Sequence, residues 1–283
     1  MAISGACEQF PGVAFRVIRE FIVTTSSQCV TNSALVDVGR RRWPRRVATV
    51  LTVAPLLRDR IIAWSVPTGT PQRRACDRCA APIGLDRPLR PLTPVARCAR
   101  CGGRAGAPPL TVEAALIAVL VLLWASGLPP FELAAVGAWL LCAVPLGFID
   151  VAVHRLPDRL TWPANAAVAL LLGAAVLWGP ADGGGWLRAA AAGAGLAACF
   201  AASALLLGQR GFGLGDAKLA LGAGAILGWL GWGALVFGLF VTFLAAGLAG
   251  VVGLVAGRLR WSGHLPFGPF LILGVATAVA LLG

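Results

Sequence analysis

Apolar and polar positions change character along the chain near residue 110. Beyond Pro108 the apolar residues fall in membrane-length runs broken by short polar turns. Seven helices are predicted, at about 110 to 127, 131 to 149, 160 to 178, 187 to 207, 217 to 231, 234 to 256 and 266 to 282. The fifth is short for a full span, so a kinked or partly embedded helix is expected there. Upstream, the apolar piece Val47 to Leu57 stops at Arg58-Asp59-Arg60. Carrying it through Trp64 would bury three charges, so an interfacial or re-entrant helix is expected rather than a clean span. The first residues lack both a basic region and an apolar core, so no signal peptide is read there. The chain thus divides into an N-terminal extension with an interfacial helix (1–70), a soluble Arg-, Pro- and Cys-rich module (71–109) and a transmembrane region (110–283). The fold class is all-α, a polytopic membrane helix bundle of about seven transmembrane helices with a small appended module.

Composition agrees, since 58% apolar and 13% charged residues with a mean hydropathy of +0.81 exclude an ordinary soluble domain. The net charge of +12, from 23 Arg and one Lys, raises nucleic acid as a partner. The positions of the cations give a simpler reading and no nucleic-acid partner is expected. Arg155, Arg159, Arg210, Lys218, Arg258 and Arg260 mark every second connection, together with the Arg-rich Cys module. The turns near Gly127 to Pro130, Gly179 to Gly185 and Trp229 to Gly233 carry none. Positive-inside then puts the module, Asp150, Asp158, Asp216 and the loop before Pro266 on the cytoplasmic face of a lipid bilayer. Trp124, Trp178, Trp186, Trp229 and Trp232 fall near the outer boundary and Trp162 and Trp261 near the inner one, with Trp139 alone at mid-helix. Gly and Ala dominate the fourth to sixth helices, which suits close helix packing.

Only Glu113, Glu132, Asp150, Asp158, Asp182 and Asp216 follow Pro108, so the acids available for membrane chemistry are few. Asp150 ends one apolar helix and Asp216 sits in Gly213-Leu214-Gly215-Asp216-Ala217-Lys218 before another. Each has an ordinary reading, as a helix-end marker or a cap. Together, at one face, they have the composition of a catalytic pair, in which repulsion and burial keep one acid protonated while the other is ionised. The ionised member takes a proton from water and the protonated one hydrogen-bonds the developing oxyanion. Gly213 and Gly215 remove side chains beside Asp216 and admit a peptide backbone. Asp158, after Pro157, reads as an N-cap, and Lys218 as a snorkelling cation. His154 and His264 receive no role.

Cys76-Asp77-Arg78-Cys79 and Cys98-Ala99-Arg100-Cys101 give C-x2-C-x18-C-x2-C, which brings four thiolates into one tetrahedral set for a structural zinc ion. Cys142 and Cys199 read as packing residues.

Taken together, the paired CxxC module, the segment from Asp150 through Leu156-Pro157-Asp158-Arg159-Leu160-Thr161, the GxGDxK segment and the terminal Pro266-Phe267-Gly268-Pro269-Phe270 resemble the prepilin peptidases, the type IV leader peptidases of bacteria. The resemblance runs from about Val66 to Gly283 with its motifs in the family's order. It implies a membrane aspartyl endopeptidase of the bacterial inner membrane that removes the leader of type IV prepilins and pseudopilins at the cytoplasmic face. Its catalytic acids map onto Asp150 and Asp216, with Gly213, Gly215, Lys218 and Asp158 as motif support. It also implies, for members with the zinc module, N-methylation of the new N-terminus with S-adenosylmethionine as donor. The helix that precedes the CxxC module in long-form members carries a Gly-Ser-Phe-Leu-Asn type motif, which residues 47 to 66 lack. This bears on the methyltransferase more than on the peptidase. The competing class is a transporter or channel subunit whose acids bind an ion and whose zinc module serves assembly.

Overall fold

The computed structural model describes residues 52–67, 69–85, 90–179, 181–208, 212–257 and 265–283, all within one compact unit, Val50–Gly283. The basic cluster at Arg40 to Arg46, the loop arginines Arg210, Arg258 and Arg260, Gly211, Trp261, His264, Cys7 and Cys29 lie outside the described residues.

Among the described residues the helices are α1 (52–64), α2 (Thr111–Ala125), α3 (Pro130–Val153), α4 (Asp158–Trp178), α5 (Gly183–Leu207), α6 (Leu214–Leu230), α7 (Trp232–Val255) and α8 (Gly268–Leu282), with one 3-10 turn at Arg90–Leu92. No strand occurs among them, only two isolated bridges in the Cys module. α3, α4, α5 and α7 are long and apolar enough to cross a membrane, and α2 and α8 are shorter apolar helices. The chain is a multi-pass helical membrane protein.

The fifth predicted helix, α6, has 17 residues. At 1.5 Å per residue it is about 26 Å long, less than a bilayer core. It is embedded in protein instead, packing on α4, α5, α7 and α8, with Leu219, Ala220, Ala223 and Leu227 fully buried. Its tightest neighbour is α5, and glycine makes that approach feasible. A methyl group on Gly224 would lie 2.8 Å from the Ala192 carbonyl oxygen, and one on Gly193 would lie 2.6 Å from that of Leu221. On its other side Gly222 receives Trp139, the tryptophan that the belt pattern leaves at mid-helix. Trp139 is fully buried, and its Nε1 would meet a Cβ at residue 222 within 2.5 Å. Arg188 of α5 donates from Nε to the Gly228 carbonyl at 2.7 Å and from Nη2 to that of Trp229 at 2.9 Å. A cation therefore satisfies carbonyls that the end of α6 would leave open.

α7 shows the opposite pattern, with Ala234, Gly238 and Thr242 its buried residues and Val236, Phe240, Leu244 and Val251 on its exposed face. Such a helix is apolar because it faces lipid, whereas α6 is apolar because it is core.

The N-terminal helix resolves the problem of its three charges by pairing one of them. The described part of α1 spans 13 residues. Arg58 is 1% exposed and grips Glu113 of α2 through Nε at 2.8 Å and Nη2 at 2.6 Å. Its guanidinium also reaches the carbonyls of Ala107 and Pro108. A buried bidentate pair of this kind offsets desolvation only when its geometry is good and its other donors are satisfied, as here. Ala54, Leu57 and Ile61 then pack with Val112, Leu116 and Val144, so α1 lies against the bundle where α2 begins and α3 ends.

Candidate active site and four-cysteine centre

The end of α3 and the starts of α4, α6 and α8 meet at one end of the bundle. Asp150 lies in the last turn of α3, which runs to Val153, four residues beyond its predicted end. His154 closes the helix in a left-handed conformation (φ 50°) and donates its N–H to the Asp150 carbonyl at 2.8 Å. Asp150 is 5% exposed, and its Oδ2 accepts the N–H of Gly268 at 3.0 Å. That N–H is free because Gly268 opens α8, and a helix N-terminus favours a carboxylate. A Cβ on residue 268 would stand 3.0 Å from the same oxygen, so the approach depends on glycine.

Asp216 is drawn into helix α6 rather than left in the loop before it. It occupies the first turn, half-buried, and its Oδ2 accepts the N–H of Gly213 at 3.0 Å while its own N–H donates to the Gly213 carbonyl at 2.9 Å. The carboxylate thus makes one half of a capping box, reaching back to the N-cap N–H, while the glycine offers its backbone carbonyl in place of a side chain. Asp150 and His154 both lie within electrostatic range of Asp216. In each acid it is Oδ2 that accepts the backbone N–H, which leaves Oδ1 for water or substrate.

Two contacts join the motifs around this pair. Gly215 packs on Leu156 of the α3–α4 turn, where an added Cβ would come within 3.0 Å of the leucine Cβ. Lys218 donates from Nζ to Asp158 Oδ1 at 2.6 Å, while its carbonyl accepts from Asn165 Nδ2 at 2.8 Å. Asp158 is therefore not the cap that the sequence suggests. Pro157 holds the N-cap position with no side-chain bond, and Asp158 is the first helical residue, paired across to α6. Lys218 likewise has a specific partner rather than a free snorkelling head.

Sequence reasoning missed the aromatic seat of the two N–H donors. Phe212 precedes Gly213 and Phe267 precedes Gly268, and their rings pack edge-on with centroids 4.7 Å apart. Phe200 of α5 and Phe243 of α7 complete the cluster. Aromatic packing of this kind fixes the relative positions of the α6 and α8 starts. The available signal was the identity of the residue before each glycine, Phe in both cases.

The four paired cysteines come together as their spacing predicts, with all Sγ atoms within 4.8 Å of one another. Cys76 to Cys101 and Cys79 to Cys98 each measure 3.7 Å between sulfurs. Zn–S bonds of about 2.3 Å at tetrahedral angles require sulfurs about 3.8 Å apart, so the set fits a metal of that kind. Each pair lies on a small hairpin built alike. Cys76 N–H donates to Ala81 O and Cys98 N–H to Gly103 O, and the chain turns through positive φ at Ala80 (52°) and Gly102 (67°). The N–H groups of Cys101 and then Arg100 hold the Cys98 thiol down to about 6. Cys79, although it receives the Ala81 N–H, is pushed up to about 11 by partial burial and the neighbouring thiols. The set thus shares its charge unequally until a cation takes all four.

The fold and site define a class: a helical membrane protein with two carboxylates gathered at one end of the bundle and a four-cysteine centre that can hold a metal ion. Residues 134–255, which contain both acids, match the type IV leader peptidase family, and this stretch of the chain belongs to that family. The chain is 34% identical over 215 residues to the "Prepilin leader peptidase/N-methyltransferase" of Burkholderia pseudomallei strain 1026b, covering 73% of this chain and 58% of that protein. It is 36% identical over 149 residues to the protein of the same name from Aeromonas hydrophila, covering 51% of this chain and 47% of that one. The chain thus spans between about half and three fifths of the length of these relatives. No solved structure matches it.

Proposed function

We propose that the chain is a membrane aspartyl endopeptidase that removes leader peptides from type IV prepilins or pseudopilins, with Asp150 and Asp216 as its catalytic pair. The observation that carries this reading is the convergence of both acids at one helix-end cluster, inside the stretch that matches the leader peptidase family. Gly268 N–H and Gly213 N–H orient the two carboxylates by their Oδ2 atoms. One acid, ionised, accepts a proton from water as the oxygen attacks the scissile carbonyl, and the other, protonated, donates to the oxyanion that forms. Gly213, exposed beside Asp216, lets an extended backbone approach. The Lys218–Asp158 pair and the Gly215–Leu156 contact hold the α6 start against the α3–α4 turn and so set the separation of the acids.

The four-cysteine centre serves as a structural zinc site, because four thiolates leave no open position for catalysis. The alternation of loop charge supports a position for it and the acids on the cytoplasmic side of the bacterial inner membrane. The relatives' names join the peptidase to an N-methyltransferase, which would use S-adenosylmethionine as donor.

The test is co-expression with a prepilin followed by the mass of the mature N-terminus. Removal of the leader at one defined bond supports the peptidase, and an unprocessed prepilin beside correctly inserted protein overturns it. One added methyl group on the new N-terminus assigns the second activity, and its absence withdraws it.

A further inference from the structure

The Cys module carries a cavity that neither the acid pair nor the metal centre uses. It encloses about 380 Å³ and is lined by the guanidinium-bearing residues Arg78, Arg97 and Arg104 together with Val95 and Pro109. Its geometry follows from the two cysteine hairpins. Arg97 and Arg104 face each other across the bridge of the second hairpin, and Arg78, from between the first two cysteines, lays its stem over Gly103, where a Cβ would fall 2.9 Å from its Cδ. Gly103 thus opens the floor on which three arginines converge.

The three arginines are exposed, and their gathered like charge favours an anion that the protein itself does little to supply. Among the described residues no carboxylate pairs with Arg78, Arg97 or Arg104, and Asp77 is taken by Arg73 at 3.0 Å. Among those residues, too, the one side-chain bond from these guanidinium groups is Arg97 Nη1 to the Gly102 carbonyl at 3.3 Å. Several guanidinium forks around one concavity match the oxygens of a phosphate group better than a single carboxylate.

The rim gives the source. Val95 is 57% exposed and Leu110 64%, and the two are drawn together by the Leu110 N–H bond to the Pro94 carbonyl. Leu110 adopts a left-handed conformation (φ 62°), and apolar α2 begins at the next residue. Arginines beside exposed apolar side chains, at the start of an apolar helix, form the arrangement expected where phosphate headgroups meet acyl chains. We propose that this cavity binds the phosphate of an anionic phospholipid headgroup and so anchors the Cys module to the membrane surface.

The proposal is independent of the peptidase reading and is tested by binding. Full-length protein in a neutral detergent is titrated with short-chain phosphatidylglycerol, phosphatidylcholine and inorganic phosphate, with bound species read by native mass spectrometry and metal content measured in parallel. Wild type should hold phosphatidylglycerol in preference to phosphatidylcholine, and Arg78→Gln/Arg97→Gln/Arg104→Gln should weaken that binding by about tenfold or more, because charge-assisted bonds to the phosphate are removed. A control with the same loss of charge elsewhere, Arg60→Gln/Arg74→Gln/Arg100→Gln, should bind as wild type does. If the first triple variant loses its metal, Arg97→Gln alone replaces it, with weakened binding still expected. Equal effects of the two triple variants, or no effect of Arg97→Gln where it stands in, overturn the site. Displacement of the lipid by inorganic phosphate at equal concentration overturns the lipid as its ligand and leaves a free phosphate compound.

Discussion

The acid pair and the four-cysteine centre are both places where distant residues meet, but they are held by different physics. Each cysteine pair is shaped by a hairpin a few residues long, with its backbone bonds made between near neighbours. Only one member of the acid pair has such a local frame. Asp150 takes its N–H from a residue 118 positions away, at the start of the last helix, and Asp216 takes its own from three residues upstream. A change in any of α3, α6 or α8 therefore reaches the acids, while the cysteine centre depends on its own two turns and on the metal.

This difference orders the effects of substitution. The largest is expected at Gly268, where Gly268→Val would drive a side chain into Asp150. A displacement of about 1 Å at a reacting group costs about 100-fold in rate, so leader cleavage should fall by that order with membrane insertion preserved. Cleavage within about tenfold of wild type would show that the α8 N–H does not position Asp150. Next comes Cys76→Ser with Cys98→Ser, which removes one ligand from each hairpin. Metal analysis of the purified protein should show it lost, while cleavage by the separately framed acids is retained. Unchanged metal content would refute the four-cysteine site. Breaking the Lys218–Asp158 pair should matter less, since both partners are partly exposed. A double-mutant cycle with Lys218→Met and Asp158→Asn should give a coupling of about 0.2–1 kcal/mol in thermal stability. A comparably small effect should be a gain. Ala80 holds a left-handed turn that the second hairpin gives to Gly102, so Ala80→Gly should stabilise the metal-bound module by about 0.5–1 kcal/mol.

The same contrast explains what the sequence revealed. Seven apolar helices were legible because membrane spans are long and their turns polar, and the four thiols because C-x2-C spacing constrains geometry locally. Asp150 and Asp216 were legible as candidates because few acids occur beyond Pro108. Their supports were not, since the Gly268 and Phe267 contributions exist only after α8 packs beside α3. Hydropathy could not separate α6 from α7 either, because burial in protein and exposure to lipid select similar side chains. Arg58 and Lys218 show the same limit. Each looked like a charge to be kept in water, and each found a partner, Glu113 or Asp158, on a helix far along the chain.

The acids themselves offer the decisive measurement. A prepilin is co-expressed with wild type, Asp150→Asn or Asp216→Asn, with membrane protein level matched, and the fraction of mature pilin is quantified. The asparagine keeps shape and a polar carbonyl but cannot exchange the proton, so each single variant should leave the leader uncut although helix content and metal content are unchanged. Processing at the wild-type level by either variant would contradict a catalytic pair built from Asp150 and Asp216.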